Sequence, residues 1–518
     1  MKSIIEQFWE RVDENPGQGA VHHRGRDLTY AQLRELADGL TARLLQDGVQ
    51  PSDRIAFILS NSVEYVIAYL AAFQAGAIAV GLNPEATANE LAGTLADCEP
   101  VAVVVEPKVG AKLARTVESS NSIRLTYLTG EAAIEGGQPS VAFDEACRTP
   151  AVSSGRRQPH LDEIAQIIYT SGTTGRPKGV TLSQRNLAAN CRSILSYLQL
   201  TPADSVFVTL PFFYSYGNSL LFTHLASGGR LVLANDTVFW NKALDLMQTE
   251  RCSGFSGVPS TFAMLLHKSD IAKRQFPDLR YLTCAGGALP APHVERLQSV
   301  APKVRLFLMY GQTEATARLS TLLPADVEHR LGSIGKGIDG VELQVLDEQA
   351  TPVAVGEVGE IVARGDNLMS GYWNDREESQ RVLRPEGLRT GDLARIDEDG
   401  YIWIVGRSSD FIKFGAYRVN PAEIENVLLA VEGIAEAAVA GAPDELWGEI
   451  PVGYVVASES GTPPSERELL DYCRRQLPRY KQLREVHFVE RLPRTASGKI
   501  KRGALGDVRR ASVDRKQV

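Results

Sequence analysis

The sequence predicts an α/β protein: a large N-terminal domain of mainly parallel sheets flanked by helices, a β-rich subdomain after it, and a small α+β domain at the C-terminal end. Three observations carry that expectation. Helical and apolar-strand patterns alternate through residues 28–125 and again from 164 to 310, as βαβ units do. From about residue 341 the apolar runs become short, β-rich and separated by Gly, Asp and Pro turns. Beyond residue 410 alternation resumes. At 518 residues the chain exceeds what one core can organise, and roughly three globular units are expected.

In chain order, AQLRELADGLTARLLQDG reads as a helix, and DRIAFILS and PVAVVVEP read as strands. Between those strands, Tyr65 to Leu82 is apolar enough to raise the question of a membrane span. Gln74 and Gly76 interrupt it, so the segment reads as a buried Ala-rich helix (YVIAYLAAFQ) followed by a short strand (AIAVGL), and no membrane span is expected. Residues 128–160 lack apolar periodicity and read as a surface connection. IAQIIYTS, SVFVTLP, RLVLA, LRYLTCAGG and VRLFLMYG are strands ending in Gly, Ser or Pro turns, where open α/β sheets place ligands. VELQVLD, GEIVARG and YIWIVGR build the β-rich subdomain. A domain boundary is expected at Arg407 to Asp410, before a βαβ-like tail (EIENVLLAVEG, AEAAVAGAPD, IPVGYVVAS, ERELLDYCRRQL). There is no internal repeat.

Composition narrows the function. Apolar residues make up 44% and charged residues 23%, as in a soluble protein. The net charge of −8 gives no reason to expect a nucleic-acid partner, since phosphate binding needs a basic surface. Glu6, Glu10 and Arg11 stand where a signal peptide would need an apolar core. Cys98, Cys147, Cys191, Cys252, Cys284 and Cys473 are widely spaced, with no CxxC pair, so reduced thiols in a cytoplasmic protein are expected. The last twenty residues, with seven basic and two acidic side chains, read as a solvated tail.

The most informative segment is YTSGTTGRPKGV, Tyr169 to Val180, after an apolar strand and before a helix-like run (SQRNLAANCRSILSYL). Small residues and two glycines let successive backbone N–H groups turn toward one anion. Ser171, Thr173 and Thr174 add hydroxyl donors, and Lys178 a cation. Such a loop suits a polyphosphate. It is not a Walker loop, because Gly175 is followed by Arg176-Pro177-Lys178.

This segment resembles the signature of the adenylate-forming superfamily of acyl-CoA synthetases, amino-acid adenylation domains and firefly luciferase. Further motifs of that family follow in order, from Leu28-Thr29-Tyr30 to Lys499. The resemblance implies that Thr170, Ser171, Gly172, Thr173, Thr174, Gly175 and Lys178 hold the phosphates of ATP. In CAGGALP, it implies that Gly286, Gly287 and Ala288 lie against adenine, and in MYGQTEAT that Tyr310 and Gly311 pack there. Thr313 would donate to phosphate and Glu314 would bind Mg²⁺, a hard cation that takes carboxylate and phosphate oxygens. Asp392 of TGD would accept both ribose hydroxyls with Arg407 as its partner, although an Asp–Arg pair stapling a hairpin is the competing reading. Asp399-Gly400 supplies the hairpin turn and no catalytic group.

LPRTASGKIKR resembles the loop that carries a lysine from a mobile C-terminal domain into the active site, and Lys499 is the matching position. A cation there eases the approach of a carboxylate to the α-phosphate; one such donor is typically worth ~3–4 kcal/mol. The same resemblance divides the chain into an adenylation domain at 1–406, a hinge at 407–409 with Ser409 as its pivot, and a mobile domain at 410–518. Gly415 and Ala416 would line the thiol channel; relatives usually carry glycine where Ala416 stands, and an added methyl bears on which thiol is taken. In LPFFYSYGNS, Tyr214 stands where a histidine is usual. With Ser215, Gly217 and Val258 of GVPS, and beside Gly286 and Gly311, it would line the acyl pocket, or equally be a core aromatic. No aspartate lies between Pro211 and Ser219 to hold an amino acid's ammonium, so a non-amino acid is expected.

The function implied is ATP-dependent activation of a carboxylic acid to acyl-AMP with loss of pyrophosphate, then transfer to CoA or a carrier protein's phosphopantetheine as a thioester. Alternatives are a stand-alone amino-acid adenylation enzyme and a luciferase-like oxygenase.

Overall fold

The computed structural model describes residues 1–110, 122–130, 140–151, 157–170, 177–235, 239–407, 411–415, 417–444, 446–458, 463–495 and 500–507. Among them the strands form four sheets.

The first, in spatial order, runs Gly371–Tyr372, Lys178–Ser183, Ile164–Thr170, Ile78–Leu82, Arg54–Ile58, Ala102–Val105, Leu125–Leu128 and Ser140–Ala142. From Ile164–Thr170 onward its pairings are parallel. The expected buried helix and strand are Val63–Ala75 and Ile78–Leu82. The helix has Ser62 accepting from the Tyr65 N–H at its start and Gly76 in the left-handed region (φ +74°) at its end. Among the described residues no helix is long and apolar enough to cross a membrane. The 128–160 connection contains an edge strand, Ser140–Ala142, and a short helix, Phe143–Ala146.

The second sheet has nine strands: Lys336–Gly337, Ser320–Leu322, Arg305–Tyr310, Tyr281–Cys284, Gly254–Gly257, Ser205–Val208, Arg230–Leu233, Gly19–His23 and Arg26–Thr29. Its central pairings are parallel. One core joins the two sheets. Tyr69 and Phe73 of the buried helix meet Phe222 of the helix Ser215–Ser227, each with ring centroids 5.7 Å apart. Each such buried ring contributes about 1.5–3 kcal/mol. Tyr30, fully buried, donates to the Gly229 carbonyl at 2.8 Å and so ties the N-terminal hairpin and its helix beneath the same sheet.

The third sheet is antiparallel and covers Val341 to Arg407. The fourth covers Ile412–Phe414, Tyr417–Val419, Ile434–Asp444, Gly448–Ala457 and Glu485–Phe488 and has its own core. The tail departs from the expected order. Ile434–Asp444 and Gly448–Ala457 form a direct antiparallel hairpin, and the parallel crossover comes later, through the helix Glu466–Gln476 to Glu485–Phe488.

All six cysteines are reduced and buried. Burial pushes the thiols of Cys98, Cys147, Cys191 and Cys252 up to about 12 and that of Cys473 to about 11.

His224 is buried as a neutral ring: Nδ1–H donates to the Leu220 carbonyl at 3.0 Å, and Nε2 accepts from the Tyr281 hydroxyl at 3.2 Å. Burial lowers its pKa from 6.5 to about 4. The unfolded chain therefore takes up this proton at higher pH than the folded one. Stability from the neutral ring is complete above pH 6.5 and declines as pH falls toward 4, by up to about 3 kcal/mol. Urea-unfolding midpoints of His224→Gln should fall less steeply than wild type across that window.

Candidate active site

The parallel register brings three of the sequence motifs to one edge of the nine-stranded sheet. Gly257 pairs with Cys284, and Cys284 with Leu308, so the chain leaves these strands side by side into Val258, Ala285–Ala288 and Tyr310–Gly311. Gly286 has φ +87°, a conformation suited to glycine. A Cβ on Gly311 would lie 2.0 Å from the Ala317 carbonyl, so only glycine fits there. A Cβ on Gly217 would lie 2.1 Å from the Pro211 carbonyl, which is how the Pro211 turn and the helix Ser215–Ser227 pack together. Asn61, buried and not singled out from the sequence, clamps that turn: it donates to the Leu210 carbonyl and accepts from the Phe212 N–H, both at 2.8 Å. Asn61 follows the strand Arg54–Ile58, so this clamp ties the ends of the two large sheets.

Tyr310, Asp392 and Arg407 meet. Asp392 is 4% exposed. Its Oδ2 accepts from the Tyr310 hydroxyl at 2.6 Å and its Oδ1 from Arg407 Nε at 2.7 Å. Asp392 and Arg407 are directly cross-strand in the hairpin closed by Asp397 to Gly400, so the hairpin staple is present. Asp399 pairs with Arg330. Burial and the Asp392 charge push the Tyr310 hydroxyl far above its usual range, so it stays a donor.

Thr313 and Glu314 lie on a tight turn, Thr313–Ala315, after the strand ending at Tyr310. Thr313 Oγ1 is 3.4 Å from Ser215 Oγ, so the segments expected to line the acyl pocket and to bind phosphate touch. Glu314 Oε1 accepts from the Tyr372 hydroxyl at 2.9 Å. Tyr214 immediately precedes the Ser215–Ser227 helix, without a side-chain capping bond, and packs on Phe213, with ring centroids 4.6 Å apart. Its hydroxyl is pushed up to about 12, by burial first and by the Glu90 charge second.

The expected phosphate loop differs in its surroundings. Thr170 and Lys178 are cross-strand partners in an antiparallel pair, and the helix Gln184–Leu198 begins only after the second strand, Lys178–Ser183. Ser171, Gly172, Thr173, Thr174 and Gly175 lie outside the described residues. Lys178 Nζ pairs with Glu378 at 2.5 Å and sits 5.3 Å from the Tyr372 ring centre. The Glu378 carboxyl falls to about 2, chiefly through Arg381 and then through Lys178. Tyr372 and Glu378 carry no sequence signal; their partners are 58 and 200 residues away.

Lys499, Ser409 and Ala416 also lie outside the described residues. On the described residues either side of Lys499, Arg494 and Ile500 form an antiparallel bridge and the Lys501 N–H donates to the Pro493 carbonyl at 2.8 Å. The Glu90 carboxyl is lowered first by the Thr87 backbone N–H, then by the Thr87 hydroxyl, and more weakly by the charge of Lys501. Gly415 has φ +58° and donates to the Trp447 carbonyl at 2.8 Å, under a Trp447 ring stacked on Phe414 at 4.7 Å.

A family model for AMP-binding enzymes matches residues 8–373, and one for the AMP-binding enzyme C-terminal domain matches residues 423–499. The chain is 33% identical to an indoleacetate–CoA ligase of Aromatoleum aromaticum, over 94% of each chain. It is 30% identical to a 2-succinylbenzoate–CoA ligase of Bacillus cereus, over 98% of each. Among solved structures, the anthranilate CoA ligase AuaEII in complex with anthranoyl-AMP superposes with a TM-score of 0.89 at 27% identity, over 98% of this chain and 97% of that one.

Tyr310→Phe removes the neutral donor to a buried carboxylate. It should destabilise the protein by about 1–3 kcal/mol, read from urea unfolding at neutral pH.

Proposed function

The chain belongs to the AMP-binding enzyme family, and from that membership we infer an enzyme that joins an aromatic carboxylic acid to coenzyme A. It is an AMP-forming acid–thiol ligase: ATP activates the acid as acyl-AMP with release of pyrophosphate, and a thiol then takes the acyl group. The aromatic acid is our reading, supported by the aromatic acids in the names of the relatives and by Tyr214 and Phe213 beside the motif of the acyl pocket. CoA as the thiol has the same support, and a separate carrier protein is the alternative acceptor.

The observation that carries this reading is the contact of Ser215 with Thr313. It joins the segment proposed to hold the acid to the segment proposed to hold the α-phosphate, which is the juxtaposition that acyl transfer to AMP requires. On this reading Asp392, already accepting from Tyr310 and Arg407, takes the ribose hydroxyls. Gly286, Gly287, Ala288 and Gly311 offer adenine a close backbone approach. Thr170 and Lys178 flank the phosphates, with Lys178 leaving Glu378 when nucleotide arrives. Glu314 is a hard oxygen donor on a partly exposed turn and fits a Mg²⁺ ion whose other ligands are phosphate and water. Such an ion would neutralise phosphate charge.

The units at 1–406 and 410–518, with a hinge at 407–409, are proposed to alternate between two orientations. Supporting the first is the charge of Lys501, which acts on Glu90, a carboxylate whose own charge acts on Tyr214 of the segment proposed to line the acyl pocket. Lys499 would then stand between the carboxylate and the α-phosphate. In the second orientation Gly415 and Ala416 would border the thiol's path.

Two measurements check this. Acid-dependent ATP–pyrophosphate exchange should occur with aryl-acetic, cinnamic or benzoic acids, and CoA should convert the adenylate to thioester faster than a holo-carrier protein does. If no acid of a broad panel supports exchange, the assignment is wrong. Lys499→Ala should slow adenylation by about a hundred- to a thousand-fold while sparing thioester formation from supplied acyl-AMP. Equal losses in both half-reactions would remove Lys499 from its role.

A further inference from the structure

Three Asp, Glu, Lys or Arg side chains are buried among the described residues: Asp204, Asp392 and Arg318. The two aspartates each hold an arginine, Arg280 at 2.9 Å and Arg407 at 2.7 Å. Arg318 is 3% exposed and pairs with no carboxylate among the described residues. Its Nε–H donates to the Met309 sulfur at 3.2 Å, a weak acceptor, and its Nη1 to the neighbouring Ala317 carbonyl at 3.3 Å. The guanidinium carbon lies 4.0 Å from the centre of the Tyr216 ring, and the Tyr197 hydroxyl is close by. A guanidinium has five N–H donors and is always charged, so a neutral setting of this kind satisfies it poorly. A buried cation normally retains an anion.

The position of Arg318 suggests where that anion comes from. Tyr216 lies between Ser215 and Gly217 of the acyl motif, and Ser215 touches Thr313. The Tyr216 hydroxyl bonds Thr283 Oγ1 at 2.8 Å, one residue before Cys284 and the turn carrying Gly286. Arg318 itself follows Thr313 by five residues. The cation therefore sits where all three pocket motifs converge, stacked on the aromatic ring that joins them.

We propose that Arg318 recognises a second anionic group on the acid substrate, so that the enzyme selects dicarboxylic acids: one carboxylate is activated, and the other binds the guanidinium. This rests on the acid-activating reading above and deepens it by specifying the substrate class. A carboxylate matches the fork of donors in charge and geometry, which neither Met309 nor the Tyr216 ring does. A monocarboxylic acid of the same skeleton would leave the cation unpaired in a pocket it has dried, so discrimination should appear as binding.

The test is ATP–pyrophosphate exchange with matched pairs: benzoate against phthalate, isophthalate and terephthalate; phenylacetate against the three phenylenediacetates; butyrate against succinate. Wild type should favour at least one dicarboxylate over its monocarboxylate by about 10- to 100-fold in kcat/KM, mainly through KM. Arg318→Met should reduce that ratio by a similar factor, and Arg318→Lys by less. Wild-type preference for the monocarboxylate in every pair overturns the proposal, whether or not either variant folds. So does a ratio unmoved in Arg318→Met that still binds AMP and unfolds cooperatively. Exchange with monocarboxylates alone leaves acid activation standing and removes only the second-anion site. Exchange with no acid removes both.

Discussion

The buried carboxylate of Asp392 is the joint on which the site depends. It takes a hydrogen bond from Tyr310, at the end of a strand in the nine-stranded sheet, and an ion pair from Arg407, its cross-strand partner in the antiparallel third sheet. One anion thus links two sheets with separate strand patterns. It does so at the last described residue before the chain passes toward the fourth sheet. Desolvation makes the arrangement demanding: at 4% exposure a carboxylate is tolerable only while both donors stay in place. On the proposed reading a ribose would approach the same lone pairs that hold the sheets, so structural and ligand-binding duties would fall on one side chain.

Around that joint the site is built from strand ends. Parallel pairing of Gly254–Gly257, Tyr281–Cys284 and Arg305–Tyr310 forces their exits onto one edge, and the turns that follow are held by close backbone packing at Gly217 and Gly311. The clamp of Asn61 on residues 210–212 then brings the edge of the eight-stranded sheet to the same place. The result is a line of neighbouring segments with distinct chemistry: aromatic at Tyr214, hydroxylic at Ser215 and Thr313, acidic at Glu314.

Much of this was legible in the sequence. Strands such as DRIAFILS and VRLFLMYG declare themselves by continuous apolar runs, and the pairing of Asp392 with Arg407 follows from the Asp399-Gly400 turn between them. What escaped was set by distant contacts. Lys178–Ser183 becomes a strand because Ile164–Thr170 and Gly371–Tyr372 pair with it on either side, which the run KGVTLS alone does not announce. Gly254–Gly257 has no apolar periodicity, and Gly254 is required because a Cβ there would meet the Tyr281 ring at 2.1 Å. Tyr372, Glu378 and Arg318 acquire meaning only from what the fold brings against them. Alternating helix and strand patterns in the tail predict a βαβ unit. Its first two strands pair directly because only a short turn separates them.

The distribution of thiols gives the molecule an internal reporter. Cys473 is the single cysteine of the fourth sheet's core, while the other five lie in the cores around the two large sheets. Because burial disfavours every one of these thiolates, an alkylating reagent gains access only through opening of the surrounding core. Labelling at residue 473 and labelling elsewhere would therefore time the loosening of two separate bodies within one native chain, with no probe introduced.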